Sequence, residues 1–278
     1  MYMPRNLLSG ALGLAVFVGA DLHAQSAADI INGMVSAYEQ QTRNVENYTI
    51  VQETMGIETV SYFEKEMVSG HPVFRLRHVN AGGMAVSANE AEQERWDAFY
   101  SMAPELIERA TYEGRDAIGG NAVHVITVRD LQEIGFTPGA TRDEQDFEPT
   151  RAKLFIDAGE SLMRRMVFEG VMTVDGETHD VTSTVEFEDY REVEGMLHPF
   201  LMTMTMEGLG EAMDPEAQKQ YEEMKKELEA TPEEQRKMVE GMMRGQLAQF
   251  EQMMSSGSMA VEVRVKEVRV NSGPPGGR

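Results

Sequence analysis

Three methionines on alternate positions of one short segment, Met202, Met204 and Met206 in "HPFLMTMTMEG" (198–208), are the side chains whose type and spacing could do chemistry. With Phe200 they fill one face of a strand, and Thr203 and Thr205 fill the other, because successive strand residues point to opposite sides. Thioethers are neutral, soft donors that suit Cu(I), so one reading is a metal site. Methionine is also unbranched and polarizable and repacks around partners of different shape, which suits a deformable lining for acyl chains. A third reading is a core in which Met stands where another lineage has Leu. Neighbouring side chains on one strand face lie nearly 7 Å apart. That is too far for three thioethers of a straight strand to close on one ion, so copper is the minor alternative.

Other reactive groups are sparse. The sequence has no HExxH, G-x-S-x-G, P-loop or G-x-G-x-x-G pattern, and its glycine pairs at 82, 119 and 276 lack the spacing that cradles phosphate. The six histidines, His23, His71, His78, His124, His179 and His198, are scattered and read as surface or turn residues. Glu186 and Glu188 share a strand face without a partner base and read as a solvated face. The absence of cysteine excludes disulfides, thiolate metal sites and a lipidated N-terminal cysteine. The expectation is a non-enzyme with no catalytic residue, no cofactor and no resident metal.

Charge narrows the partners. Against 25 basic residues stand 47 acidic ones, a formal net charge of -22 over 278 residues. Such a surface argues against nucleic acid and anionic headgroups as partners. Residues 1–24 read as a secretory signal peptide: Arg5 supplies the positive start, "LLSGALGLAVFVGA" (7–20) the apolar run, and Ala24 the small-residue exit. A periplasmic location follows from that reading.

The remaining chain must supply the scaffold. Ser26 caps a helix whose apolar positions are Ile30, Ile31, Met34, Val35 and Tyr38. Period-two patterns then predict strands at "YTIVQETMG", "ETVSYFEKEMVSG" and "HPVFRLRHVN". A helical stretch, "NEAEQERWDAFYSMAPELIERA", carries Trp96, Phe99 and Tyr100 on its apolar side and is interrupted at Pro104. Strands resume at "NAVHVITVRD", pause at the acidic loop "TPGATRDEQDFEPT", and continue through "RAKLFIDA", "LMRRMVFEGVM", "THDVTSTVEFEDY" and the methionine segment. Residues 214–255 read as a helical hairpin, opened by Asp214 and Pro215 and striped by Met238, Met242, Leu247, Phe250, Met253 and Met254. The final strand, "MAVEVRVKEVRV", changes phase between Val265 and Val268, which predicts a bulge near Lys266. Residues 272–278 read as a flexible tail.

The order of these segments resembles the outer-membrane lipoprotein-sorting protein superfamily, which includes the LolA-type periplasmic carriers. The resemblance runs through "ADIINGMVSAYEQQTRNVENYTIVQ", "YEGRDAIGGNAVHVITV", "AKLFIDAGESLMRRMVF", "DYREVEGMLHPFLMTMTMEG" and "VEVRVKEVRVN". Its most specific piece is Asp189, Tyr190 and Arg191, followed by Gly195 and Pro199. The resemblance implies an α+β domain over residues 25–271, a strongly curved antiparallel sheet forming an open half-barrel, with helices over the concave face and an apolar cavity between. It also implies a lipid or acylated lipoprotein as ligand, membrane transport or receptor proteins as partners, and a carrier role; an envelope-stress sensor on the same fold is the alternative. The expected lining is Met166, Phe168, Phe200, Met202, Met204 and Met206 from the sheet. Trp96 and Phe99 would join from the second helix, and Met238, Met242 and Phe250 from the hairpin acting as a lid.

Overall fold

A computed structural model describes residues 26–68, 71–86, 100, 102–134, 146–174, 176–209, 219, 226, 252 and 255–275. The signal-peptide region and almost all of the 214–255 hairpin therefore lie outside the described residues.

Helix α1 (Ala27–Thr42) begins as the sequence predicts: Ser26 Oγ accepts from the Asp29 backbone N–H, and Asp29 reaches back to the Ser26 N–H, a reciprocal capping box. Its Ile30, Ile31 and Met34 are buried against the sheet. Among the described residues eleven strands follow: β1 (Asn47–Thr54), β2 (Ile57–Val68), β3 (His71–Ala81), β4 (Met84–Val86), β5 (Ala110–Ile118), β6 (Asn121–Arg129), β7 (Asp146–Asp157), β8 (Met163–Val174), β9 (Glu177–Val193), β10 (Met196–Glu207) and β11 (Ser258–Val270). A short helix α2 (Ala103–Arg109) precedes β5 and buries Ala103 and Leu106 in the same core as α1.

Among the described residues the sheet runs β4-β3-β2-β1-β11-β10-β9-β8-β7-β6-β5 and is antiparallel throughout, with β4 and β5 as its edge strands. It is not closed into a barrel, and the class is α+β with sheet dominant. Tight turns explain why sequence neighbours pair. At the β9–β10 hairpin Glu194 and Gly195 both have positive φ, 50° and 88°. That is the mirror-image turn whose twist matches two antiparallel strands. Two departures from neighbour pairing follow from the order: β4 and β5, consecutive in the chain, lie at opposite edges, and β11, besides pairing with β10, pairs with β1 and so joins the two halves of the sheet.

Several predicted features hold, and others are corrected. The bulge near Lys266 is present: Val51 pairs with Glu267 and Gln52 with Val265, leaving Lys266 without an opposite number. Hence Val261, Val263 and Val265, and after the bulge Val268 and Val270, all meet the same face. The predicted acidic loop instead yields to strand at Asp146. Pro149 is tolerated there because β7 is bulged between Pro149 and Arg151, so the ladder needs no donor from it. Strand β5 was not expected from its polar sequence "ATYEGRDAI"; as an edge strand with mostly exposed side chains it needs no apolar alternation. His124 and His198 are buried rather than superficial. Glu186 is not a lone solvated carboxylate, since the Arg165 side chain on β8 donates to it at 2.9 Å.

Candidate functional site

The sheet has one face that carries α1, and the register identifies the residues on it. Directly opposed residues of an antiparallel pair share a face. Met202, Met204 and Met206 oppose Phe187, Val185 and Ser183 on β9, and Val263, Val261 and Met259 on β11. Phe187 and Val185 belong to the buried core with α1, so the methionine side of β10 is the helix-bearing, inner face.

Burial separates core from lining. Met166 and Phe168 are 2% and 0% exposed, locked among Leu154, Ala152 and Met172. Phe200 is also buried, in a second cluster with Tyr48, Phe63, Phe74 and Val268. Met202, Met204, Met206, Met259, Val261 and Val263 are only half-buried. Met202 touches both clusters, so the half-buried strip lies where the two parts of the core meet. Of the expected lining, Trp96, Phe99, Met238, Met242 and Phe250 lie outside the described residues. Sequence reading missed Met259. Its signal was present, since Met259, Val261 and Val263 also alternate, but only the β10–β11 pairing shows that they continue the same wall.

Charged groups hold the frame around this strip. Lys266, the bulge residue, points to the outer face and bridges Glu53 at 2.6 Å and Glu58 at 3.4 Å. The Lys266 ammonium beside Glu53 holds that carboxyl below its ordinary range. At the opposite end of the sheet, burial raises Asp157, but donation from the Glu160 and Gly159 N–H groups and from Arg164 outweighs it and leaves the carboxyl below its usual value. Burial lowers the His124 imidazole, and Arg115 pushes the same way against Asp157, so the ring is held neutral with Nδ1 3.3 Å from the Tyr112 hydroxyl. Tyr190, raised well above its ordinary value by burial, keeps its proton and donates it to the Met163 carbonyl at 2.6 Å.

Tyr190 and its motif neighbours are thus architectural. Asp189 adopts a left-handed backbone, Arg191 bonds back to Asp189 and covers the Phe200 ring at 4.3 Å, and Gly195 makes the turn. They fix the hairpin that ends in the methionine segment. Among the described residues no three His, Cys, Asp or Glu side chains are grouped to hold a metal ion.

The base of the 210–256 excursion is closed. Glu207 pairs with Ser258, and the Leu209 N–H donates to the Gly257 carbonyl at 3.0 Å. The chain therefore leaves and re-enters the sheet beside Met206 and Met259.

No family model matches the sequence, and no curated protein does. Among solved structures, the fold is similar to an outer membrane lipoprotein-sorting protein domain from Vibrio parahaemolyticus, at 10% identity over 88% of this chain and 94% of that one, with a TM-score of 0.38. It is similar to a DUF1329 family protein from Desulfovibrio piger, at 8% identity, the same coverage and a TM-score of 0.39. A LolA superfamily protein from Nitrosomonas europaea follows, at 10% identity, 88% and 94% coverage and a TM-score of 0.31.

Proposed function

We propose that the protein binds acyl chains on the inner face of its sheet, as a carrier of a lipid or acylated lipoprotein in the cell envelope. The observation that supports this most directly is the half-buried strip of Met202, Met204, Met206, Met259, Val261 and Val263 beside a fully buried core. A wall of unbranched thioethers and valines contacts hydrocarbon without demanding one ligand shape. Each methylene removed from water contributes about 0.8 kcal/mol, so an acyl chain supplies ample driving force with no catalytic group. A half-barrel closed over its ligand by residues 214–255 completes the proposal, and the signal-peptide reading of residues 1–24 places it in the periplasm.

Native mass spectrometry of gently purified protein tests the reading, together with exchange of a labelled acyl chain. Bound lipid or saturable exchange is expected. Protein that emerges without lipid and takes up no labelled chain would sink it.

A further inference from the structure

We infer that the acyl ligand carries an uncharged, hydrogen-bonding polar part, as a glyceride does, and that Gln52, Thr54, Thr59 and Ser61 receive it. The inference rests on the acyl-binding reading and extends the site by two strands.

The register places these four side chains on the inner face. On β1, Gln52 and Thr54 continue the alternation of the buried Tyr48 and Ile50; on β2, Thr59 opposes Gln52 and Ser61 opposes Ile50. Through β11, Thr54 is opposite Val263 and Gln52 opposite Val265, and Val263 is in turn opposite Met202. With strands about 4.8 Å apart, Thr54 lies about 10 Å from Met202 across Val263, and Gln52, Thr59 and Ser61 continue from there on the side of Phe200, so the polar group adjoins the Met202 end of the methionine strip. All four polar residues are half-buried, as the strip is.

The composition of this region is selective. From Gln52 to Thr54, Ile57 to Ser61, Met202 to Met206 and Met259 to Val263, every described inner-face side chain is apolar, hydroxyl or amide. The charges beside them point to the outer face, where Lys266 bonds Glu53 and Glu58 and Arg264 bonds Glu262. The inner-face charge of β2, Lys65, sits further along, its ammonium on the Arg43 carbonyl at 3.0 Å and near Glu46. A strand interior built only to pack would continue Tyr48 and Ile50 with apolar residues. A site for a phosphate would need a cation, since burying an unpaired charge is costly. Hydroxyls and an amide next to a hydrocarbon wall instead match ester carbonyls and a glycerol hydroxyl: chains lie over valine and methionine, and oxygens meet Gln52, Thr54 and Thr59.

Displacement of a pyrene-labelled alkane from the full chain tests this, using dioleoylglycerol and dioleoylphosphatidate as competitors with identical chains. Wild type should bind the pyrene-alkane and release it to dioleoylglycerol at about tenfold lower concentration than to the phosphatidate, the scale of one well-made hydrogen bond. The isosteric variant T54V/T59V, whose valines favour strand, should still bind the pyrene-alkane and lose that preference. Equal displacement by both competitors, or a preference that survives T54V/T59V, overturns the polar row while leaving acyl binding intact. Failure of wild type to bind the pyrene-alkane overturns the acyl-binding reading itself.

Discussion

Met206 on β10 lies directly opposite Met259 on β11, so the methionine wall that begins within one strand continues across the next. The two residues are separated in sequence by the whole 210–256 excursion, yet they flank its closed base. Whatever enters the inner face beside that base meets thioethers from both strands.

Replacement of Met204, Met206 and Met259 together by Leu keeps volume and hydrophobicity, so the chain should fold with a change below about 1.5 kcal/mol for each swap. The branched side chains repack less readily, and the range of acyl lengths bound should narrow. Thermal denaturation and a series of labelled chains from ten to eighteen carbons check both outcomes; an unaltered range assigns these residues to core packing alone.

Deletion of Lys266 should be far more damaging than its substitution. Without the bulge, the residues now at 268 and 270 turn to the outer face, and each buried valine lost from the core forfeits about 1.5–3 kcal/mol. Lys266→Ala keeps the bulge and should fold. Urea unfolding of the two variants compares them.

Gly170 on β8 is packed under β7: a Cβ built there would sit 2.3 Å from the Glu148 carbonyl oxygen and 2.8 Å from Pro149 Cα. Since both obstacles are backbone, Gly170→Ala should destabilise by about 1–3 kcal/mol, seen as a lowered Tm. At Gly176 a Cβ meets nothing within 4 Å, and only its φ of 83° opposes Ala, so that variant should be the milder one.

Stability should rise with pH through the acid side of neutrality. His124 is held below its ordinary value of about 6.5, first by burial and then by Arg115, with Asp157 opposing and the Tyr112 hydroxyl against the ring. The unfolded chain therefore takes up the proton first as pH falls. Its contribution is complete above the ordinary value and is lost as pH drops toward the lowered one. His124→Phe should flatten the slope of Tm against pH in that window. Asp157, also lowered, adds the same sign at more acid pH, below about 3.9.

Replacement of residues 210–256 by a short turn should leave a folded sheet, because Glu207–Ser258 and Leu209–Gly257 already bring the ends together. Acyl-probe affinity should weaken if this segment closes the site. Undiminished affinity removes it from binding.

The sequence by itself determined the local features: the Ser26–Asp29 cap, the period-two faces and even the Lys266 bulge, each set by residues adjacent in the chain. It also marked Met202, Met204 and Met206 as one face, because strand geometry has a fixed repeat. It did not reveal β5, whose mostly exposed residues need no alternation in an edge strand, nor that His124 is buried, since both faces of β6 are largely covered. The pairing of β11 with both β1 and β10 was decided only in three dimensions. That long-range choice joins Met259 to Met206 and sets Gln52 and Thr54 beside Val265 and Val263. Local spacing can specify which side of a strand is apolar, but which strands meet depends on the burial gained when distant segments close into one sheet.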